Sequence, residues 1–348
     1  MRNSTEQHSA KVLFQSGIQY LLSIKEQLFL TLIIFYISQV ESLEALHAFE
    51  LPKINFGDYI YLIRPYGWIS NFVSIGFGLL LTNMWQVPSI VLSYFWTGIA
   101  VGPLLWGGLY TFNSVFDAEF DRIHPTKMLR PIAAQRVSKR MALFIATIHV
   151  LLGLGLIAII SPVGLVLALI MVMFQILYCF PPFRLKETIG NLFFSGPMNH
   201  FFRILIGWTL ILPLVDAPYL FLTGIVCILA IGYLGYKIQD KEIADQFGYR
   251  GLESHLSQRG ILIFDSLLTI MASTFIFLAF LSYQITWHLL LFIPLTFVAF
   301  LYIWLSSSSL WQISKPGIFI GKLHNLVIIF LLIEWLIIIM RLLPLIIF

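Results

Sequence analysis

Apolar residues run along this chain in blocks of roughly 20, long enough to cross a bilayer as helices, and polar residues fall between the blocks. The pattern predicts nine spans, over 66–83, 89–114, 141–161, 163–180, 189–212, 218–236, 261–282, 285–305 and 323–342. Turn formers separate them: Pro88, Pro162, Pro181 with Pro182, Pro213 with Pro218, and Pro316 with Gly317. Leu28 to Val40 is also apolar, but at about 13 residues it is short for a span. Lys25, Glu26 and Glu41 bound it closely. It reads as an interfacial or re-entrant helix, or one packed against a bundle. The expected organisation is an N-terminal cytoplasmic or interfacial extension over 1–58 and a transmembrane domain over 59–348. The fold class is all-α and polytopic. A membrane barrel would need short alternating segments, which this sequence lacks.

Positive charge tests the span map. The connections after spans two and four hold Arg122, Lys127, Arg130, Arg136, Lys139, Arg140, Arg184 and Lys186. Those after spans six and eight hold Lys237, Lys241, Arg250, Arg259, Lys315 and Lys322, and Arg64 precedes span one on the same side. The connections after spans one, three, five and seven hold no Lys or Arg. Such bias sets orientation, so the basic side is expected to face the cytoplasm.

Composition agrees. Of 348 residues, 59% are hydrophobic and 11% charged, where a soluble domain would carry about 25% charged residues. The formal charge of +4 lies on one set of loops beside apolar spans, so it carries no expectation of a nucleic-acid partner. Cys179 and Cys227 fall inside apolar runs with no disulfide or metal spacing. Met1 and Arg2 are not followed by an early apolar core, so no cleavable signal peptide is expected.

The chemistry concentrates in NSVFDAEFDRIHPTKMLRP, from Asn113 to Pro131. On a helix each step of four advances roughly 40°, so Asn113, Asp117 and Asp121 share one face. Acids where a helix leaves the membrane are costly and usually functional. A second group, Asp240, Glu242 and Asp245, follows span six. A spacing of five turns roughly 140° on a continuous helix. Either the helix ends near Asp240, as Gly248 and Gly251 suggest, or Glu242 takes part. Mg²⁺ prefers oxygen ligands and usually binds one or two carboxylates plus substrate phosphates. Arg presents a fork that fits phosphate oxygens. Acids and bases interleaved at the mouth of an apolar bundle point to a diphosphate head with a lipid tail. The bland alternative is a solvated loop with helix-end acids. The 31 Phe and 14 Tyr could line a tail site, but membrane helices are aromatic-rich in any case.

These residues bring a family into view. The chain resembles the UbiA-type intramembrane prenyltransferases, whose N-x-x-x-D-x-x-x-D motif stands intact at Asn113, Asp117 and Asp121. HPTKMLRPIAA, from His124 to Ala134, is similar to the family's basic loop. YCFPPFRLK, from Tyr178 to Lys186, resembles its Y-S-x-P-P-x-R-L-K segment, with Cys179 for the common Ser. Lys237, Asp240, Asp245 and the Gly248-Tyr249-Arg250 tail resemble the second aspartate motif, with one extra residue between the aspartates. RPYGW from Arg64 is a weaker match, and Gln135 stands where many members have Gly. The resemblance covers about residue 60 to the end.

The resemblance implies nine helices around a central cavity and Mg²⁺-dependent ionisation of a prenyl diphosphate. Asp117, Asp121, Asp240 and Asp245 would hold the metal, with Asn113 assisting. Arg122, Lys127, Arg130, Arg184, Lys186 and Lys237 would neutralise the leaving group. Tyr178 would guard the allylic cation or orient a lipid-soluble acceptor. Arg203, with Gly207, fits the family's Arg-x-x-x-Gly. It is expected either to pair with Glu334 or to reach the diphosphate. Asn71 and Asn199 are expected to bridge helices or line the acceptor site. His149, His288 and His324 are expected to be satisfied packing residues, and Asp265 an interfacial acid.

YCFPPFRLK resembles members that prenylate ring acceptors, and prenyl transfer of that kind is the expected activity. The HPTK-x-x-RP run also resembles the branch that joins phosphoribosyl diphosphate to a polyprenyl phosphate. Cyclisation without an acceptor is a third reading. An ion-coupled transporter is a fourth, which the position of the acids at helix ends disfavours.

Overall fold

A computed structural model of the chain describes residues 56–82, 88–124, 127–180, 183–188, 190–194, 196–247 and 257–307, with the backbone alone at 88, 192, 235–247, 258, 288 and 302–307. The expected ninth span, Glu334, His324, nearly all of the N-terminal extension and the side chains of Lys237, Asp240, Glu242, Asp245 and His288 lie outside this description.

The described residues are helical, with no strand among them. In chain order the α-helices are α1 (Phe56–Leu62), α2 (Trp68–Leu81), α3 (Pro88–Ile99), α4 (Gly107–Ile123), α5 (Lys139–Ile160), α6 (Pro162–Cys179), α7 (Asn191–Phe194), α8 (Gly196–Trp208), α9 (Tyr219–Phe247), α10 (Gln258–Leu281) and α11 (Phe292–Ser307). Helical segments therefore occupy each of the first eight expected spans. Among the described residues, four stretches are by length and composition long and apolar enough to cross a membrane: Ser89–Ile123, Lys139–Ile160, Pro162–Cys179 and Arg259–Leu281. Their outward faces carry exposed Leu151, Leu152, Ile159, Val166, Ile263 and Ile270. Water would penalise such a surface and lipid would not.

Two expected spans take a different form. Span five is not one helix over 189–212. It is the short α7, then α8, which ends at Trp208. The chain then turns through Thr209–Leu212, with the Trp208 indole donating to the Pro213 carbonyl (3.0 Å). Span two is longer than expected, because α3 and α4 join through a π-helical stretch, Ala100–Trp106. Pro103 lies inside it. Proline lacks the N–H an α-helix needs there, and a π-turn absorbs the missing bond without ending the rod.

The interior packs by close backbone approach. A Cβ at Gly78 would overlap the Ile204 carbonyl, and one at Gly207 would overlap that of Ile75. Each glycine therefore lets α2 and α8 touch main chain to main chain, as small residues do between membrane helices. The core beside this seam contains Phe77, Phe221 and Phe292, mutually packed at 5.8–6.3 Å between ring centroids. A separate small core of Leu62, Val115, Ala118, Ile132, Val137 and Ala142 lies where α1, α4 and the loop before α5 meet. It fastens the basic loop to the end of α4.

Candidate active site

Helix α4 runs unbroken from Gly107 to Ile123, so Asn113, Asp117 and Asp121 do share one face. That face turns inward: Asp117 is 9% exposed and Asp121 4%. Asn113 Nδ2 donates to Asp117 Oδ2 (3.0 Å). The other Asp117 oxygen takes the ammonium of Lys186. Asp121 Oδ2 takes the Arg130 guanidinium at 2.9 Å. Burial alone would lower the Arg130 pKa, but the charge and hydrogen bond of Asp121, together with Tyr66 and Tyr61, leave it raised. Each acid of the motif thus has its own cation, which is what permits two carboxylates to be buried one turn apart.

The loop holding Arg130 is built tightly. Ala134 N donates to Arg130 O (2.8 Å), and Arg136 N and Val137 N both donate to Pro131 O (2.8 and 3.1 Å). Gln135 takes the left-handed conformation, φ 61°. This is a reason for glycine to be common there, since side chains resist that region. Arg136 ties the loop down through a buried ion pair to Asp58 of α1 (3.0 Å) and a bond to the Leu129 carbonyl (2.9 Å). Lys127 opens a short 3₁₀ turn, Lys127–Leu129, and is half-buried. Arg122 faces elsewhere. It lies about 100° around the helix from Asp121, pairs with exposed Glu119 (3.0 Å) and donates to the Ala133 carbonyl (3.3 Å). Its geometry is that of a loop fastener, not of a group aimed at the acid face.

Lys186 comes from the loop after α6. Arg184 adopts φ 34° and starts the 3₁₀ turn Leu185–Glu187, which sends Lys186 inward, 5% exposed. Asn191 at the start of α7 donates to the Lys186 carbonyl (2.6 Å) and accepts from the Tyr233 hydroxyl of α9 (3.0 Å). The Tyr178 hydroxyl lies 3.4 Å from that of Tyr233. Arg184 lies over the Phe120 ring, 4.8 Å from its centroid, and pairs with Glu187 at 2.9 Å. The ends of α4 and α6, the start of α7 and the middle of α9 therefore converge on one polar cluster.

Arg203 lies apart from it. Its guanidinium stacks over Trp106, 4.2 Å from the ring centroid, and is 2% exposed. Trp106 precedes Asp117 by eleven residues, about 16 Å along a helix axis. That depth places Arg203 away from the acids, and its Nε has no hydrogen-bond partner among the described residues. Nearer the mouth, Arg64 reaches Ser114 (3.1 Å) and lies over Tyr110 (5.0 Å). Asn71 is fully buried and donates to the Gly67 carbonyl of its own helix start (2.8 Å). Asn199 is buried as well. His149 Nδ1 bonds the Ile145 carbonyl (2.9 Å), a packing role as expected. Asp265, near the start of α10, is fully buried, with neither carboxyl oxygen hydrogen-bonded among the described residues.

Asp240 and Asp245 both lie on α9, which continues to Phe247. The early helix end suggested by Gly248 does not occur. The two positions are separated by about 140° around a continuous axis.

The donor chemistry of the described acids fits a hard divalent cation. Two buried carboxylates on one face, braced by an amide and faced by Lys and Arg, match a Mg²⁺ site completed by substrate phosphates. Among the described residues no group of three or more His, Cys, Asp or Glu could hold a metal alone.

Sequence reasoning missed Asn191, Tyr233, Gln175 and His200. Gln175 donates to the Cys179 sulfur (3.2 Å), and the Cys179 thiol donates to Asn113 Oδ1 (2.9 Å). His200 Nδ1 lies 2.7 Å from Ser74 Oγ, joining α8 to α2. The available signal was a polar residue inside an apolar run, which Gln175 shows.

Fold and site together define a polytopic helical membrane protein with a carboxylate-and-base cluster at its mouth. The chain belongs to the UbiA prenyltransferase family, whose model matches residues 71–323. It is similar to a UbiA homologue from Archaeoglobus fulgidus solved with GPP and Mg²⁺, at TM-score 0.63 and 16% identity, over 79% of this chain and 96% of that one. A solved digeranylgeranylglyceryl phosphate synthase matches at TM-score 0.58 and 21% identity, over 72% and 86%. At those identities the likeness is one of fold. Among curated relatives, the digeranylgeranylglyceryl phosphate synthase of Sulfurisphaera tokodaii is 27% identical over 38% of this chain and 46% of its own. The decaprenyl-phosphate phosphoribosyltransferase of Mycobacterium tuberculosis is 32% identical over 34% of this chain and 40% of its own. The chain thus aligns with less than half the length of these curated relatives.

Proposed function

We propose that this protein transfers a prenyl group from a prenyl diphosphate to a lipid-soluble acceptor, with Mg²⁺ as cofactor, at the cytoplasmic mouth of its helical bundle. The observation that carries the reading is the buried face of α4, where Asn113, Asp117 and Asp121 stand against Lys186 and Arg130. Asp117 and Asp121 would hold the metal, and Asp240 and Asp245 would complete the set from α9. Bound Mg²⁺ would offset the charge that develops on the departing diphosphate. Lys186 and Arg130 exchange their carboxylate partners for diphosphate oxygens, joined by Lys127, Arg184 and Lys237. Arg122 is left out because it is spent on Glu119 and the loop. Arg203 is left out because it sits too deep. Tyr178 and Tyr233 place two phenol rings beside the cluster, suited to an allylic cation once the C–O bond breaks. The YCFPPFRLK segment favours a ring acceptor.

A second reading is favoured by the Mycobacterium tuberculosis relative: the metal-bound diphosphate belongs to phosphoribosyl diphosphate, and a polyprenyl phosphate is the nucleophile. The test offers purified protein labelled geranylgeranyl, farnesyl and phosphoribosyl diphosphates in turn, with membrane extract as acceptor. Consumption of a prenyl diphosphate, halted by EDTA and restored by Mg²⁺, is the expected result. Consumption of phosphoribosyl diphosphate alone establishes the second reading. Turnover indifferent to EDTA overturns the metal site.

A further inference from the structure

Asp117 is held from both sides, and the amide side has a history one helix away. Gln175 and Cys179 lie four residues apart on α6, so they stand one above the other on a single face. Both are buried, at 6% and 0% exposure. Gln175 Nε2 donates to Cys179 Sγ at 3.2 Å. The sulfur is thereby the acceptor of that contact, and its own proton is free to point elsewhere. It points across to α4, donating to Asn113 Oδ1 at 2.9 Å. With its carbonyl taken, the Asn113 amide presents Nδ2 to Asp117 Oδ2 at 3.0 Å.

Every donor in this chain faces the same way, from Gln175 through Cys179 and Asn113 to the carboxylate. The direction matters because an asparagine amide has two orientations of nearly equal shape. Turned over, Asn113 would set its carbonyl oxygen against a carboxylate oxygen, and its NH₂ against a sulfur. Only the thiol's proton distinguishes the two from the far side. Ending the chain on a charge also strengthens each bond in it.

We propose that Cys179, backed by Gln175, is a positioning residue for the metal-binding carboxylate: its thiol fixes the amide orientation of Asn113, and Asn113 in turn fixes Asp117. The inference rests on the functional reading above, since it takes Asp117 to be a metal ligand. It adds that the ligand's aim is set from α6 through sulfur. Groups that orient a ligand from outside typically contribute 10- to 100-fold in metal affinity. Serine, which likewise donates one proton and accepts another, can replace the thiol in both bonds. Alanine can replace it in neither.

The experiment measures Mn²⁺ binding in the presence of inorganic pyrophosphate by electron paramagnetic resonance, on the full chain in nanodiscs, so that no substrate need be known. Cys179→Ala is expected to weaken binding about tenfold, and Cys179→Ser to recover most of the loss. Asn113→Ala and the double variant with Cys179→Ala are expected to bind equally weakly, because both break the same chain. Losses that multiply in the double variant, or a Cys179→Ala protein that binds as well as the parent, overturn the positioning role. Failure of the parent itself to bind Mn²⁺ with pyrophosphate overturns the functional reading beneath it. A second measurement needs no stable alanine variant. The S–H stretching band of Cys179, identified in the infrared spectrum by its loss in Cys179→Ser, is expected at the lower frequency of a donating thiol. In Asn113→Ala it is expected to move toward that of a free one. A band that Asn113→Ala leaves in place overturns the thiol-to-amide contact.

Discussion

The end of α4 and the seam between α2 and α8 solve opposite problems in one molecule. At the end of α4, side chains keep the helices apart, and the space is filled by charge: Asp117 with Lys186, Asp121 with Arg130, Asp58 with Arg136. In the seam, Gly78 and Gly207 remove the side chains, and main chain meets main chain. Ion pairs of this kind contribute little net stability, because desolvation consumes most of their attraction. They can therefore give up a partner to a ligand. Backbone contact cannot be exchanged for anything. The contrast teaches that the mouth is where the molecule can change its partners, and the seam is what holds it in register while it does.

Substitutions can break this contrast, and the largest effect belongs to the mouth. Asp117→Asn keeps shape but removes the charge proposed to hold the metal. Turnover is expected to fall by about a hundredfold or more, while the protein stays monodisperse on size exclusion. Activity within a few-fold of the parent would remove Asp117 from the metal site. Gly207→Ala should do the reverse. Its Cβ would press on the Ile75 carbonyl, which cannot swing aside, at a cost of about 1–3 kcal/mol. A lowered melting temperature, with unchanged KM in the folded fraction, is the expected pattern.

Lys186→Met comes next. Losing the one charge-assisted contact to diphosphate that the proposed reaction gives Lys186 would cost about 1.5 kcal/mol or more, and the expected result is roughly a tenfold rise in KM for a diphosphate substrate. An unchanged KM would confine Lys186 to pairing with Asp117. The smallest effect is expected of Glu119→Gln. It removes an exposed partner of Arg122 and Lys139, and exposed pairs contribute little. Neither melting temperature nor turnover should move measurably. A clear loss of activity would return Arg122 to the reaction.

Much of the fold was legible because the membrane imposes a simple code. Apolar runs of spanning length must be helices, and the helices from α2 to α11 fall where those runs lie. The failures have local causes. Pro103 was hidden inside an apolar run, where only a π-turn reconciles it with a continuous rod. Span five is shorter than expected because its start is the separate four-residue α7 and α8 ends at Trp208, whose indole donates to the Pro213 carbonyl. In the site, the four-residue spacing of Asn113, Asp117 and Asp121 sufficed to place them on one face, since helical periodicity is a property of the local chain. Asn191, Tyr233 and Gln175 were not legible in this way. Their partners lie 42 to 66 residues away or act through a second side chain.

The sequence by itself determined the helices, their apolar outer faces, the acid face of α4 and the basic loops beside it. Each of these follows from composition and periodicity over a few turns. Only the tertiary structure decided which base answers which acid, that Arg122 turns outward while Lys186 turns in, that Arg203 stacks on Trp106 far from the acids, and that a thiol on α6 orients an amide on α4. Those outcomes depend on where helix ends converge, and convergence is set by packing between distant segments, a relation that no local pattern encodes.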